Sequence, residues 1–177
     1  MLTLGATKVI GDSESLFNYL VNTDAQVNKH FCHEPQLRKI SLIMTYFSRT
    51  IRRVTAKLIQ AVVDPKFAED DKKRKRNDAR ISQHLTDFFG VVLNNIDDYL
   101  TDMGFMTGPH ISVVDIMVYC EIFTICELYR REVPAHLTKL SNWFELLSKE
   151  EALQRVNGKF KELVAEHKLH FEPAGNQ

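Results

Sequence analysis

A chain of 177 residues with 44% apolar and 26% charged side chains is long enough for one domain with a sizeable core, and its composition is ordinary for a soluble globular protein. Its 23 cationic and 23 anionic side chains cancel, which removes the bulk electrostatic bias that binders of nucleic acid or anionic membrane rely on. Three cysteines, an odd number with no disulfide-scaffold spacing, favour a reducing compartment.

Taken in order, residues 1–10 carry neither a signal-peptide pattern nor the Arg-rich look of a transit segment. The cytoplasm is the expected compartment, with a mitochondrial place inside a large complex as the alternative. Leu2-Thr3-Leu4 and Lys8-Val9-Ile10 are short β-favouring runs around Gly5-Ala6-Thr7 and predict a hairpin. Such a hairpin is marginal alone and offers unpaired edges, so it needs helices or a partner to cover it. Asp12 or Ser13 then caps a helix through Leu16, Phe17, Tyr19 and Leu20. Residues 1–22 form one unit on this reading, 23–34 a linker, 35–170 a helical domain and 171–177 a fraying tail.

Pro35 suits the first turn of a long helix whose stripe is Leu37, Ile40, Met44, Phe47, Ile51, Val54, Leu58 and Val62. Asp64-Pro65 ends it, and Glu69 to Arg76 reads as a solvated stretch between helices. A second long helix places Ile81, Leu85, Phe88, Val92, Ile96, Tyr99 and Met103 on one face. Two shorter helices come after Val133-Pro134, one marked by Leu137, Leu140, Phe144 and Leu147 with Trp143 beside them, one by Leu153, Val156, Phe160, Leu163 and Val164.

Between these pairs lies the most informative stretch. Ser112 is an N-cap, with its hydroxyl accepting from the Asp115 N–H and the Asp115 carboxylate reaching back to the Ser112 N–H. Ile111 and Ile116 are spaced to close a hydrophobic staple around that cap. From Val113 to Cys126 the helix is apolar nearly all the way round, interrupted by Asp115 and Glu121, with Glu127 just beyond. A helix without a polar face belongs inside a bundle or a membrane, and this one is too short and too charged to span a bilayer. The expected fold is therefore all-α: a helical bundle with a central buried helix, preceded by a short β-hairpin and helix.

This order resembles the glutathione transferase family, and among its classes the theta class most. The residues that carry the resemblance are Phe105 to Asp115, similar to the capping segment ahead of that family's buried helix, with Thr50-Ile51-Arg52-Arg53 and Lys139-Leu140-Ser141-Asn142-Trp143. Ile10-Gly11-Asp12-Ser13 with Leu16 and Tyr19-Leu20 after it is similar to the end of the family's thioredoxin-like domain. The resemblance implies that residues 35–170 are the family's C-terminal-type bundle and 1–22 a remnant of its thioredoxin-like domain. It also implies that Asp12 and Ser13 hold the γ-glutamyl group of glutathione, and that Tyr46, Arg52 and Arg53 lie near the cleft for electrophiles.

By the same resemblance Met1 falls where the family's cis-proline stands, so the preceding β-α-β unit and its thiol-activating serine, tyrosine or cysteine are not in this sequence. A transferase needs that group, because the thiolate is the nucleophile. The chain as written is expected to be catalytically silent, with no catalytic residue and no cofactor other than a residual affinity for glutathione. Capping is the preferred account of Asp12 and Ser13. Surface charge is preferred for Arg52 and Arg53, and a solvated segment for Lys72-Lys73-Arg74-Lys75-Arg76 over a nuclear signal or phosphate patch. His30, Cys32 and His33 lack a second ligand pair, so no metal site is expected. Cys120 and Cys126 read as small buried hydrophobes, leaving Cys32 as the thiol that labels.

The residues support two functions. One is a non-catalytic glutathione-transferase-like module that joins other protein subunits through its hairpin and cleft face, or pairs as a homodimer, with no nucleic acid and no membrane span. The other is a theta-like transferase, conjugating glutathione to electrophiles, of which this sequence is an N-terminally incomplete part.

Overall fold

Two short strands lead into a chain that is predominantly helical in the computed structural model, which describes residues 2–4, 8–10, 23–26, 37–63, 71–100 and 104–169. The strands β1 (Leu2–Leu4) and β2 (Lys8–Ile10) pair antiparallel, Thr3 opposite Val9. Several expectations fall outside the described residues: the Gly5-Ala6-Thr7 turn, the helix capped by Asp12 or Ser13, the His30, Cys32 and His33 group, Pro35, Asp64-Pro65, Met103 and the tail.

The first apolar stripe folds as two helices, α1 (Leu37–Tyr46) and α2 (Arg52–Val63), joined without a break by a π-helical turn, Phe47–Ile51. The second folds the same way, α3 (Asp71–Asp87) running through a π-helical turn, Phe88–Val92, into α4 (Leu93–Tyr99). The two π turns pack against each other, with Phe47 and Ile51 buried on one side and Phe88 and Val92 on the other. A π turn admits one residue more than an α turn and so rotates everything after it. The buried series Ile81, Leu85, Phe88, Val92, Ile96, Leu100 needs that rotation. Its five steps average about 3.8 residues against 3.6 for a regular helix.

The rotation corrects the sequence reading at the end of α4. Tyr99, expected on the apolar face, is 53% exposed, and Leu100 takes the buried position. On α2 the expected Leu58 is buried with Thr55 and Ala61, and the expected Val54 and Val62 are partly buried against the same core. A second correction lies at the start of α3: the stretch expected to lie between helices is helical from Asp71 onward.

Helix α5 (Val113–Tyr129) packs against α1, α2 and the first π turn, and against α6 (Thr138–Ser148) and α7 (Glu151–Glu166). Val114, Val118, Tyr119, Ile122, Ile125 and Leu128 are buried along it, each apolar side chain contributing about 1.5–3 kcal/mol. Tyr129 closes its last turn by donating its hydroxyl to the Leu58 carbonyl at 2.8 Å, tying α5 to α2. The helix ends at Arg130, left-handed at φ 49°, with the Arg131 N–H donating to the Cys126 carbonyl at 3.0 Å. Among the described residues no helix is long and apolar enough to cross a membrane.

Candidate functional site

The approach to α5 is built by glycine and closed by a carboxylate. Gly108 sits at φ 148°, and it exchanges backbone hydrogen bonds with Phe105 at 3.2 and 3.3 Å, folding residues 105–108 into a tight turn. Ser112 and Asp115 form the reciprocal capping box, the Ser112 N–H donating to Asp115 Oδ2 at 2.9 Å. The Ser112 hydroxyl also donates to Oδ2. Oδ1 is filled from farther away, by the Met106 N–H and the Trp143 indole N–H, both at 2.9 Å. A carboxylate offers about four acceptor positions, and all are taken here. Fully buried, Asp115 is a structural hub joining the turn, the start of α5 and α6. Ile111 and Ile116 on either side are partly buried against the same core.

A second tie runs from α4 to α6. Leu137 provides no side-chain cap for α6, and the Leu140 N–H donates instead to Asp97 Oδ1 at 2.7 Å. Lys139 returns the contact, its Nζ 3.5 Å from the carbonyl of Leu100 at the end of α4. A carboxylate at a helix start and an ammonium at a helix end both complement the helix dipole.

The residues expected near a cleft separate into different roles. Tyr46 is half-buried, accepts from Asn95 Nδ2 at 3.2 Å, and lies with its ring 5.8 Å from that of Tyr99. Arg52 Nη1 donates to Glu121 Oε1, pairing a half-exposed guanidinium with a carboxylate only 7% exposed. The other oxygen, Glu121 Oε2, is buried without a hydrogen-bond partner among the described residues. Arg53 is exposed to solvent. The partner of Arg52 is not readable from spacing, because 69 residues separate it from Glu121.

None of the described thiols or buried phenols is poised as a nucleophile. Burial, with Glu127 and Glu132 nearby, pushes the Cys126 thiol up to about 12, and burial raises Cys120 as well. A thiol so held is protonated at neutral pH and inert. Burial also raises the Tyr119 hydroxyl, against the opposing effect of Asn157, whose Nδ2 donates to it at 2.7 Å. Burial raises Tyr129 too. Among the described residues no group of three or more His, Cys, Asp or Glu is gathered to hold a metal ion.

At the far end of α5 an open groove of about 560 Å³ lies between Phe123, Phe144 and Cys126, rimmed by Arg130, Arg131 and Lys161. Its cations are engaged: Lys161 lies 3.9 Å from Glu127 and over the Phe123 ring, and Arg131 lies over Phe89 at 5.4 Å. The only signal in the sequence for this groove is the charged run from Glu127 to Glu132. Compared with protein-family models, with curated proteins and with solved structures, the chain matches none.

Proposed function

We propose that the chain is a non-catalytic glutathione-transferase-like module, its helices the C-terminal-type bundle of that fold, serving as a structural or assembly subunit of a larger protein complex. The order of elements supports the fold: two long helices, a capped turn, one buried helix and two shorter ones. The chemistry of the interior supports the absence of catalysis. Among the described residues the buried Asp115 carboxylate is fully committed to structural bonds, and the thiols stay protonated.

The observation that carries the assembly role is an apolar strip on α1 and α4. Leu42 is 64% exposed and stands one turn before Tyr46, whose ring meets that of Tyr99, itself 53% exposed. Contiguous exposed apolar groups of this kind mark surfaces that a partner covers. The β1–β2 pair offers a second contact, since among the described residues no further strand joins it. The partners are other protein subunits, with a second copy of this chain as one arrangement and nucleic acid as none. The proposed compartment is the cytoplasm, with the mitochondrion as the alternative.

Size-exclusion with light scattering and a hydrophobic dye tests this reading on the full chain. Self-association or dye binding that Leu42→Glu with Tyr99→Glu abolishes is the expected result. A dye-silent monomer overturns it, as does glutathione conjugation above background. A theta-like transferase is the second reading, favoured by the unpartnered Glu121 Oε2 beside Arg52. Retention on immobilised glutathione, lost in Arg52→Ala, favours that reading over the first.

A further inference from the structure

Where α2 packs beside α3, their facing turns enclose a small cleft of about 200 Å³. Lys57 and Gln60 line it from α2, Asn77, Arg80 and His84 from α3, with the buried Ala61 and Ile81 closing its floor. The spacings are those of one face on each helix: three residues from Lys57 to Gln60, then three and four from Asn77 to Arg80 to His84. The polar wall is thus an ammonium, a guanidinium, an imidazole and two carboxamides, with no carboxylate among the described residues that line it. In a chain of zero formal net charge, that is a local segregation of positive groups.

Among the described residues neither Lys57 nor Arg80 forms an ion pair. Burial, then Lys57, and to a lesser degree Arg80, hold the His84 imidazole below its ordinary pKa, while Asp87 acts the other way. Asp87 stands outside the cleft lining and accepts from Gln83 Nε2 at 2.8 Å. Like charges set around a shared concavity repel, and an anion seated between them turns that repulsion into attraction. The volume selects the size of the anion. Pockets for drug-sized ligands run to roughly 300–1,000 Å³, so this one suits a phosphoryl group with a small substituent.

We propose that the cleft between α2 and α3 binds a soluble phosphate-sized oxyanion, inorganic phosphate or a small phosphomonoester, with Lys57 and Arg80 supplying charge and Gln60, Asn77 and His84 supplying donors. Arg80 is the anchor, because a guanidinium fork matches two phosphate oxygens at once. His84 contributes one N–H when neutral and a charge when protonated, so the site tightens as pH falls through the imidazole range. Binding raises the His84 pKa in return, by reciprocal linkage. The site is independent of the assembly reading, since it shares no residue with the Leu42–Tyr99 strip.

The test monitors the His84 ring resonances of the isotopically labelled full chain near its imidazole midpoint. Inorganic phosphate or glycerol phosphate is titrated in at constant ionic strength. Saturable movement with an upward shift of the His84 pKa is expected. Arg80→Gln and Lys57→Gln should each weaken binding about tenfold, the loss of one charge-assisted contact. Both residues are exposed, so both variants should fold. A response that never saturates, that chloride reproduces, or that survives in the double variant overturns the proposal. So does binding confined to phosphatidate vesicles with none to the soluble phosphates.

Discussion

Arg52 holds the buried carboxylate of Glu121 across the contact of α2 with α5, and the two sides of this pair stand in opposite environments. The guanidinium is 56% exposed and the carboxylate 7%. Removing one or the other therefore has unequal consequences. Arg52→Ala strands a charge in the interior, beside an oxygen that already lacks a partner. Glu121→Gln leaves a guanidinium that water can solvate. Denaturant unfolding should show Arg52→Ala costing about 1–3 kcal/mol, with Glu121→Gln costing less. Adding Glu121→Leu to Arg52→Ala should recover part of the loss, and equal costs for the two single variants contradict this account.

Asp115 and Trp143 give a larger effect. Asn at 115 must present an N–H₂ to donors on one side, either Met106 and Trp143 or Ser112. Asp115→Asn should cost about 2–4 kcal/mol, the penalty of buried groups left unpaired. Trp143→Phe removes one of the four bonds and should cost about half as much. Chemical denaturation with the m-value monitored checks both.

The cap that Asp97 lends to α6 is worth less, because it replaces one solvent hydrogen bond. Asp97→Ala should destabilise by about 1 kcal/mol, with faster amide exchange at Leu140 before any other helix start. Unchanged exchange there removes the cap from the account.

Two positions are open to stabilisation. Gly158 lies in the middle of α7, and a methyl group there meets nothing within 4 Å. Gly158→Ala should stabilise by about 0.5–1 kcal/mol. Lys168 ends the same helix in a left-handed conformation at φ 50°, where the Leu169 N–H returns to the Val164 carbonyl at 2.9 Å. Lys168→Gly should add a similar amount, about 0.5–1 kcal/mol, by relieving the Cβ penalty. Thermal unfolding of each variant and of the pair reads out both gains, which should add.

His84 sets a pH dependence of known sign. Its folded pKa lies below the ordinary 6.5, through burial first and then Lys57. As pH falls through 6.5, the unfolded chain takes up the proton before the folded one, so stability drops until the folded value is passed. His84→Gln should lose less melting temperature than the parent between about pH 7.5 and about pH 5.5. Parallel curves for the two proteins contradict the assignment.

Short-range chemistry was legible in the sequence and long-range chemistry was not. Ser112 and Asp115 are three residues apart, and their reciprocal bonds are a consequence of that spacing alone. The buried helix declared itself by lacking a polar face. The same Asp115 also accepts from Trp143, 28 residues on, and Glu121 meets Arg52 from 69 residues away. Such pairings depend on how helices pack, which periodicity does not specify. The π turns at Phe47–Ile51 and Phe88–Val92 were invisible for a related reason. Each answers the packing of one helix pair on the other, and each rotates the helix beyond it, so that Thr55 is buried and Tyr99 is not. That rotation helps to form the exposed strip on which the proposed assembly role rests.

The central claim is that other protein covers this strip in the cell. Sedimentation of the tagged protein in native extract addresses it most directly. A discrete species well above the mass of one chain is expected, reverting to the single chain when Leu42→Glu and Tyr99→Glu are introduced together. An unaltered protein that sediments as a lone chain contradicts the claim.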